Sequence, residues 1–558
     1  MLRFLILFIL LLSRSIGVAE DNVQYGGDLN VGTVNVTLSA LSWDPRDWVW
    51  KANHDAGAVR EQLFVADLSK SRRNGGAYGF VQEAYLPTDS IKGELAESWY
   101  WEDDLTLVIN LRQDVFFPDH PGLMKSRLLT ADDVVFSYDF VDQSPKKILS
   151  YFDHIDRVIA RDKHTVVFEF NQFHAEWAYR YGYGYHSAIN PRELSQVDPK
   201  DWRNVAGSGP FGLEKYVQSN AQIYKKNPIY WGSDDVDGKS YQLPFVDRVI
   251  YRIIKDEATF LTALRTGQLD ILEAIRWIAV DHLKETTPEL QWNRWLGTGG
   301  TFVSLRVDQK PFDDVRVRRA LNLAINQQEI ADVFYGGHAE LMAYPQHPDF
   351  GDYFQPLSEM PEEIQELFTY NPEKAKALLS EAGVPEGFRF NMQVCSCNPS
   401  HMDLIPLLES YLSKVGIQIV IQPMEYASFL SAMTTKTHGP AYLLSSGHVN
   451  PMTTIRKSFV TGQTWNPSQY SDPAFDEKVR ILHLTRDEEE RINMLRGLTR
   501  EILEQAPYVW LPIPYVHTAW WPWVKNYGGE LRAGAVRPWP IYARIWIDQE
   551  MKKQMGFE

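Results

Sequence analysis

Between Gly93 and Phe140 the hydrophobic residues change their spacing once, and that change limits the folds open to the chain. Leu105, Leu107, Ile109 and Leu111 alternate with Thr106, Val108, Asn110 and Arg112, the period of a strand. After a Pro-containing turn, Thr130 stands where a helix N-cap belongs, with Asp133 at the third helical position, a carboxylate near the positive end of the helix. Val134, Val135, Tyr138 and Phe140 then follow at roughly helical spacing. The spacing predicts strand, turn and capped helix. Strand-like stretches return at 163–170, 249–254, 388–394 and 418–423, with helical ones at 258–270 and 405–415. Alternating strands and helices of this kind predict an α/β fold with a largely parallel sheet in the later part of the chain.

The 558 residues are enough for several domains. A net charge of −16 argues against a nucleic-acid partner, which would want a basic patch. The N-terminus reads as a secretory signal: Arg3, an apolar run from Phe4 to Leu12 too short for a membrane span, and Gly17-Val18-Ala19 as a cleavage site after Ala19. No cysteine follows the apolar run, so the mature protein is expected free in a periplasm. The two cysteines, Cys395 and Cys397, are expected as thiols at a strand end, because strand neighbours two apart sit near the upper Cα separation for a disulfide. They offer too few ligands for a metal site, and no metal or cofactor is expected.

The motifs then carry a resemblance. Leu95-Ala96-Glu97-Ser98-Trp99, Leu111-Arg112, Val115, Phe117, Leu129-Thr130-Ala131, Asp133-Val134 and Phe136-Ser137 stand in order. They resemble the signature of the extracellular solute-binding proteins of family 5, the periplasmic components of ABC importers for peptides and oligosaccharides. Gly26-Gly27-Asp28-Leu29, Gly207-Ser208-Gly209-Pro210-Phe211, Pro311-Phe312 with Arg316-Val317-Arg318, and Asn371-Pro372-Glu373-Lys374-Ala375 extend the likeness along the chain. It implies a two-lobed periplasmic binding protein fold of the cluster C type. The expected division is a signal peptide at 1–19, lobe one at 20–296 with an extra subdomain near 61–204, lobe two at 297–506, and a return to lobe one over 507–558. Two chain crossings then form a hinge that closes over a ligand. The segment 55–64 is expected as the helix that follows the first strand and loop.

The resemblance also places a ligand site. Trp43 and Trp48 fall in the loop at the mouth of the cleft, and Ser208 in the Gly-rich turn that brings the chain back. Tyr426 stands where peptide-binding relatives place an aromatic contact. Ser445 to Pro451 matches the loop in which an aspartate of oligopeptide binders pairs with the peptide ammonium. Gly447 occupies that aspartate's position here, and His448 and Asn450 offer neutral donors and acceptors. An ammonium left unpaired in a closed cleft would cost several kcal/mol. Trp465 and Tyr470 follow, and with 18 Trp and 27 Tyr the chain is rich in rings that stack on sugars. The expected ligand is therefore an oligosaccharide or sugar conjugate, delivered by a monomeric protein to a membrane permease. The alternative is the same fold binding an oligopeptide or an opine-like or other charged solute. An enzyme is not expected. A glycoside hydrolase needs two carboxylates about 5 to 9.5 Å apart on the cleft walls, and no Asp or Glu falls in a catalytic motif.

Overall fold

The computed structural model describes residues 23–33, 43–47, 50–144, 151–447 and 449–557. The expected signal segment, 1–19, and Trp48 and His448 lie outside the described residues. Lobe one is built on a mixed sheet in the order 211–217, 221–226, 248–253, 28–33, 271–276, 513–520, 291–296. Its first strand, Asp28–Thr33, is parallel to Arg248–Ile253 and to Ile271–Arg276. Leu29 and Val31 of that strand are fully buried, so this strand lies at the centre of the lobe.

The stretch from Gly93 to Phe140 folds as its spacing predicts. Ala96–Asp103, Thr106–Leu111, Thr165–Phe170 and Ile155–Asp162 form a four-stranded antiparallel sheet, and the helix Ala131–Asp142 lies against it. The Asp133 carboxylate accepts the Thr130 backbone N–H at 3.0 Å and is gripped by two Arg127 nitrogens at 2.8 and 2.6 Å. Val108 is as buried as Leu107 and Ile109, because both faces of its strand are covered. The helix expected over 55–64 instead runs Trp50–Ala56. The residues after it are drawn into extended backbone pairings: Gly209 and Phe211 donate to the carbonyls of Val59 and Ala58, and Phe64–Ala66 pairs with Ile91–Gly93.

Lobe two carries a five-stranded sheet in the order 417–424, 388–395, 441–447, 299–305, 508–510. Only the first two pairings are parallel; Gly299–Leu305 is antiparallel to both its neighbours. The expectation of a largely parallel sheet is corrected to a mixed one for a topological reason. Gly299–Leu305 brings the chain into the lobe and Tyr508–Trp510 takes it out, so the pair must oppose. Both faces are covered: Tyr442 and Leu444 face one core, Ala441 and Leu443 the other. Gln291–Leu296 and Ile513–Trp520 pair in lobe one immediately before and after these strands. The two crossings therefore run side by side, tied by Gly297 N–H to Pro514 O at 3.0 Å and Leu511 N–H to Thr301 O at 3.2 Å. The return to lobe one comes a few residues later than 507, because 508–510 still belong to the second sheet.

Cys395 and Cys397 form a disulfide, against expectation. The strand ends at Cys395 and the chain turns there, which brings the two Cα atoms to 5.1 Å, inside the usual range.

Candidate functional site

The lobes meet along a polar seam. Lobe one supplies the segment around Glu83 and the buried turn Tyr179–Tyr183; lobe two supplies the end of the strand Ala441–Gly447 and the helix Pro451–Phe459. That helix begins at Asn450, whose side chain caps it by accepting the Thr453 N–H at 2.8 Å. Its last turn carries Arg456 and Lys457 on an otherwise buried face. Hydrogen bonds and contacts cross between the lobes along this seam. Thr453 Oγ1 donates to Glu176 Oε1 at 2.5 Å, Ala175 N–H to His483 O at 2.8 Å, and Gln82 Nε2 to Asp349 Oδ2 at 2.7 Å. The Tyr426 hydroxyl meets the Trp50 side chain, and burial raises its pKa against that hydrogen bond.

Gly447 faces Glu83 directly. A Cβ at position 447 would overlap Glu83 Oε2, so the carboxylate of lobe one fills the space in which a side chain of this loop would stand. The Tyr185 hydroxyl donates to the same carboxylate, and Lys457 Nζ donates to the Gly447 carbonyl at 2.5 Å.

The electrostatics are unbalanced. Arg180 sits 3.5 Å from Glu176 and donates to the Tyr151 carbonyl at 2.8 Å. Arg456 donates to the side-chain oxygen of Gln463 at 3.1 Å. Neither Arg180 Nε nor Arg456 Nε has a hydrogen-bond partner among the described residues. Burial lowers the Arg456 pKa, and neighbouring Arg180 lowers it further against Glu176. Burial likewise holds Lys457 down to about 8, with Glu83 pulling it up and Arg456 pushing it down. Three cations thus face two carboxylates, Glu83 and Glu176. Arg456 and Lys457 are surrounded by protein yet each keeps some accessible surface.

The residues expected from sequence fall differently. Trp43 is 1% exposed and packs edge-on against Tyr216 at 5.4 Å. Tyr470 is buried in lobe two, edge-on to Phe475 at 5.8 Å. A ring buried on both faces offers none to a sugar, so both stand corrected as core residues. The Ser208 hydroxyl is buried and donates to Glu61 Oε2 at 2.7 Å; burial pushes the Glu61 pKa up to about 8, so the carboxyl is kept in a structural cluster with Trp231. Trp465 is 40% exposed on a loop held by Lys436, whose Nζ donates to the carbonyls of Gln463, Thr464 and Asn466. Of the expected set, Tyr426, Gly447 and Asn450 lie at the seam. Glu83, Glu176, Arg180, Arg456 and Lys457 were missed. A lone arginine within the tyrosine run 179–185, and two adjacent cations on a helix following the Gly447 loop, were the available signals.

Known proteins show the same architecture. The family model for bacterial extracellular solute-binding proteins, family 5 (middle), matches residues 90–466. Over 498 residues the chain is 27% identical to the di/tripeptide-binding protein 1 of Pseudomonas aeruginosa (strain UCBPP-PA14), covering 84% of this chain and 86% of the relative. Among solved structures, the ABC transporter-associated periplasmic binding protein DppA from Helicobacter pylori, in complex with the peptide STSA, superposes with a TM-score of 0.76 at 24% identity, over 94% of this chain and 99% of that one. The periplasmic binding protein AgaA from A. tumefaciens R10, in complex with agropinic acid, gives 0.73 at 21% identity, over 94% and 99%.

Proposed function

Because the chain belongs to the bacterial extracellular solute-binding proteins of family 5, we propose that it captures a small acidic solute of the peptide or opine class in its interlobe seam and hands it to the permease of an ABC importer. The carrying observation is the surplus of buried positive charge formed by Arg180 from lobe one and Arg456 and Lys457 from lobe two. Buried cations without a full set of anions are costly, and a carboxylate delivered by the ligand removes that cost with charge-assisted hydrogen bonds. The names of the relatives support the class: a di/tripeptide-binding protein, and structures holding a peptide and agropinic acid. The oligosaccharide expectation loses its support, since Trp43 and Tyr470 are core residues and Trp465 is on an outer loop.

The mechanism is capture and closure. A carboxylate that touches Arg180 and Arg456 together touches both lobes, so it binds the closed form better than the open one; that difference is what shifts the equilibrium. The protein works as a secreted monomer in the periplasm, after removal of residues 1–19, and performs no chemistry on its solute.

The test is a thermal-shift panel on the mature protein, refolded to strip carried ligand. The panel holds neutral and acidic di- and tripeptides, N-carboxyalkyl amino acids of the opine type, and neutral oligosaccharides. A solute at 100 times its dissociation constant stabilises by about 2.7 kcal/mol. The expected response is to the acidic peptides or the opine-type conjugates. A response confined to neutral sugars overturns the reading.

A further inference from the structure

We infer that His174, Glu176 and His483 form a site for a late first-row divalent metal ion of the zinc, nickel and copper class, and that the ion ties the two lobes together. His174 and Glu176 stand on the lobe-one segment that precedes the buried turn Tyr179–Tyr183, and His483 on the lobe-two helix Pro473–Leu484. One ligand atom from each lies within 4.8 Å of the other two, and all three side chains are more than nine-tenths buried.

The second observation is that the site is chemically unfinished. Both ring nitrogens of His483 and Oε2 of Glu176 have no hydrogen-bond partner among the described residues. His483 Nδ1 points at that oxygen from 3.6 Å, too far for a hydrogen bond. Two imidazole nitrogens and a carboxylate oxygen left in this state, on facing side chains, are a donor set without its acceptor. The His174 and His483 rings lie face to face at 4.8 Å, which the backbone hydrogen bond from Ala175 to His483 O keeps in place. A tetrahedral ion with bonds of about 2.1 Å asks for donors about 3.4 Å apart, a contraction that side-chain rotation supplies. His174 Nδ1 accepts the Glu176 N–H at 3.2 Å, so binding through a deprotonated ring nitrogen gives up that hydrogen bond.

The neighbours select the metal. Arg180, 3.5 Å from Glu176, and Arg456 place positive charge beside the triad, while His154 packs behind His174 at 4.5 Å. That field opposes any divalent ion, and a hard ion such as magnesium or calcium, which takes oxygen ligands, finds a single carboxylate here. An ion that binds neutral imidazole nitrogen loses less, which leaves the zinc, nickel and copper class. Because the donors come from opposite lobes, the site is complete only when the protein is closed. It does not depend on the identity of the organic solute.

The experiment titrates the untagged mature protein, stripped with EDTA and free of organic ligand, with zinc chloride and nickel chloride in a calorimeter, with magnesium chloride as control. The expected result is one equivalent of zinc or nickel, no magnesium uptake, and affinity lowered at least tenfold in His483→Ala and in His174→Ala. Small-angle scattering is expected to show a zinc-dependent decrease in radius that His483→Ala abolishes. Arg180→Gln, which removes the cation competing for Glu176 and leaves the three donors in place, is expected to tighten zinc binding severalfold. No uptake of either metal by the wild-type chain, or uptake unchanged in both histidine variants, overturns the inference.

Discussion

Arg456 and Gly447 are the residues on which the proposed site turns, and they make opposite demands. Arg456 is a buried cation whose nearest charged neighbours include Arg180, and its Nε has no acceptor among the described residues. Replacing it with methionine keeps an unbranched apolar stem and removes the charge. A hydrogen bond to a charged group is worth about 1.5–3 kcal/mol, so Arg456→Met is expected to weaken binding of the acidic solute by about 10- to 100-fold in calorimetry. The melting temperature of the unliganded protein is expected to stay level or rise, since an imperfectly paired buried charge has been taken away. Weaker binding together with a large fall in melting temperature would show a structural residue. Gly447 tests closure itself. In Gly447→Ala the new methyl group meets Glu83, which Tyr185 and Lys457 hold in place, so Glu83 must move or the lobes must part. The expected outcome is a severalfold loss of solute affinity and a larger radius of the liganded protein in scattering, with each lobe still folded. The glycine was visible in the sequence as a departure from the family loop. The carboxylate that faces it was not, because residues 83 and 447 meet only through the closing of two lobes and nothing in their local sequences marks the pairing.

Elements were legible where their cause is local. Thr130 and Asp133 announce the start of the helix Ala131–Asp142 because the capping carboxylate reaches back only three residues. The helix near the first loop was misplaced because residues 58–66 are captured by partners distant in sequence, including Ala533, which accepts the Ala66 N–H at 3.0 Å. The direction of the lobe-two strands escaped local patterning for a related reason: whether Gly299–Leu305 runs with or against its neighbours depends on where the chain enters and leaves. Several ion pairs hold the C-terminal return, and that between Arg537 and Glu94 is buried on both sides. Arg537 is fully buried and donates to Glu94 at 2.8 and 3.0 Å, while Gln62 accepts from it at 3.0 Å. Glu94 precedes the signature strand, so this pair anchors the last 50 residues of the chain to the sheet that the family motif builds. Removing one partner of a buried pair strands the other, at a cost of about 3–5 kcal/mol. Glu94→Gln is accordingly expected to lower the denaturant midpoint sharply. The double variant Glu94→Gln, Arg537→Met is expected to recover part of the loss, because the stranded charge is gone; equal loss in both would mean that packing rather than charge holds the return segment.

At the scale of the whole molecule, the seam couples closure to pH. His154, His174 and His483 stack in sequence across it, with ring centroids 4.5 and 4.8 Å apart. Burial is the first cause holding His483 at about 4, with Arg180 and Arg456 acting in the same direction and only Glu176 opposing. Burial lowers His154 to about 3, and His174 lies well below its ordinary value for the same first reason. Opening the lobes parts His174 from His483 and lets them approach the ordinary histidine value near 6.5. Each is then a base whose pKa is lower in the closed form than in the open one. Above about pH 6.5 both forms are neutral there and closure bears no cost. As pH falls below that value the open form takes up protons that the closed form refuses, and the loss continues until the closed-state pKa is reached. One such histidine weakens closure by up to about 1.4 kcal/mol per pH unit. The histidines' contribution to affinity for the acidic solute is therefore expected to be flat from pH 8 to 7 and to weaken binding by about tenfold between pH 6 and pH 5. His483→Gln, which cannot titrate, is expected to flatten that profile while keeping the lobes' contact through the backbone carbonyl that accepts from Ala175. Protonation of the solute's own carboxylate belongs to lower pH and to both proteins alike. The comparison of the two profiles, by calorimetry at half-unit steps, separates the seam from the ligand: parallel curves would remove the histidines from the closing mechanism, and a flattened curve for the variant would place the switch between the lobes.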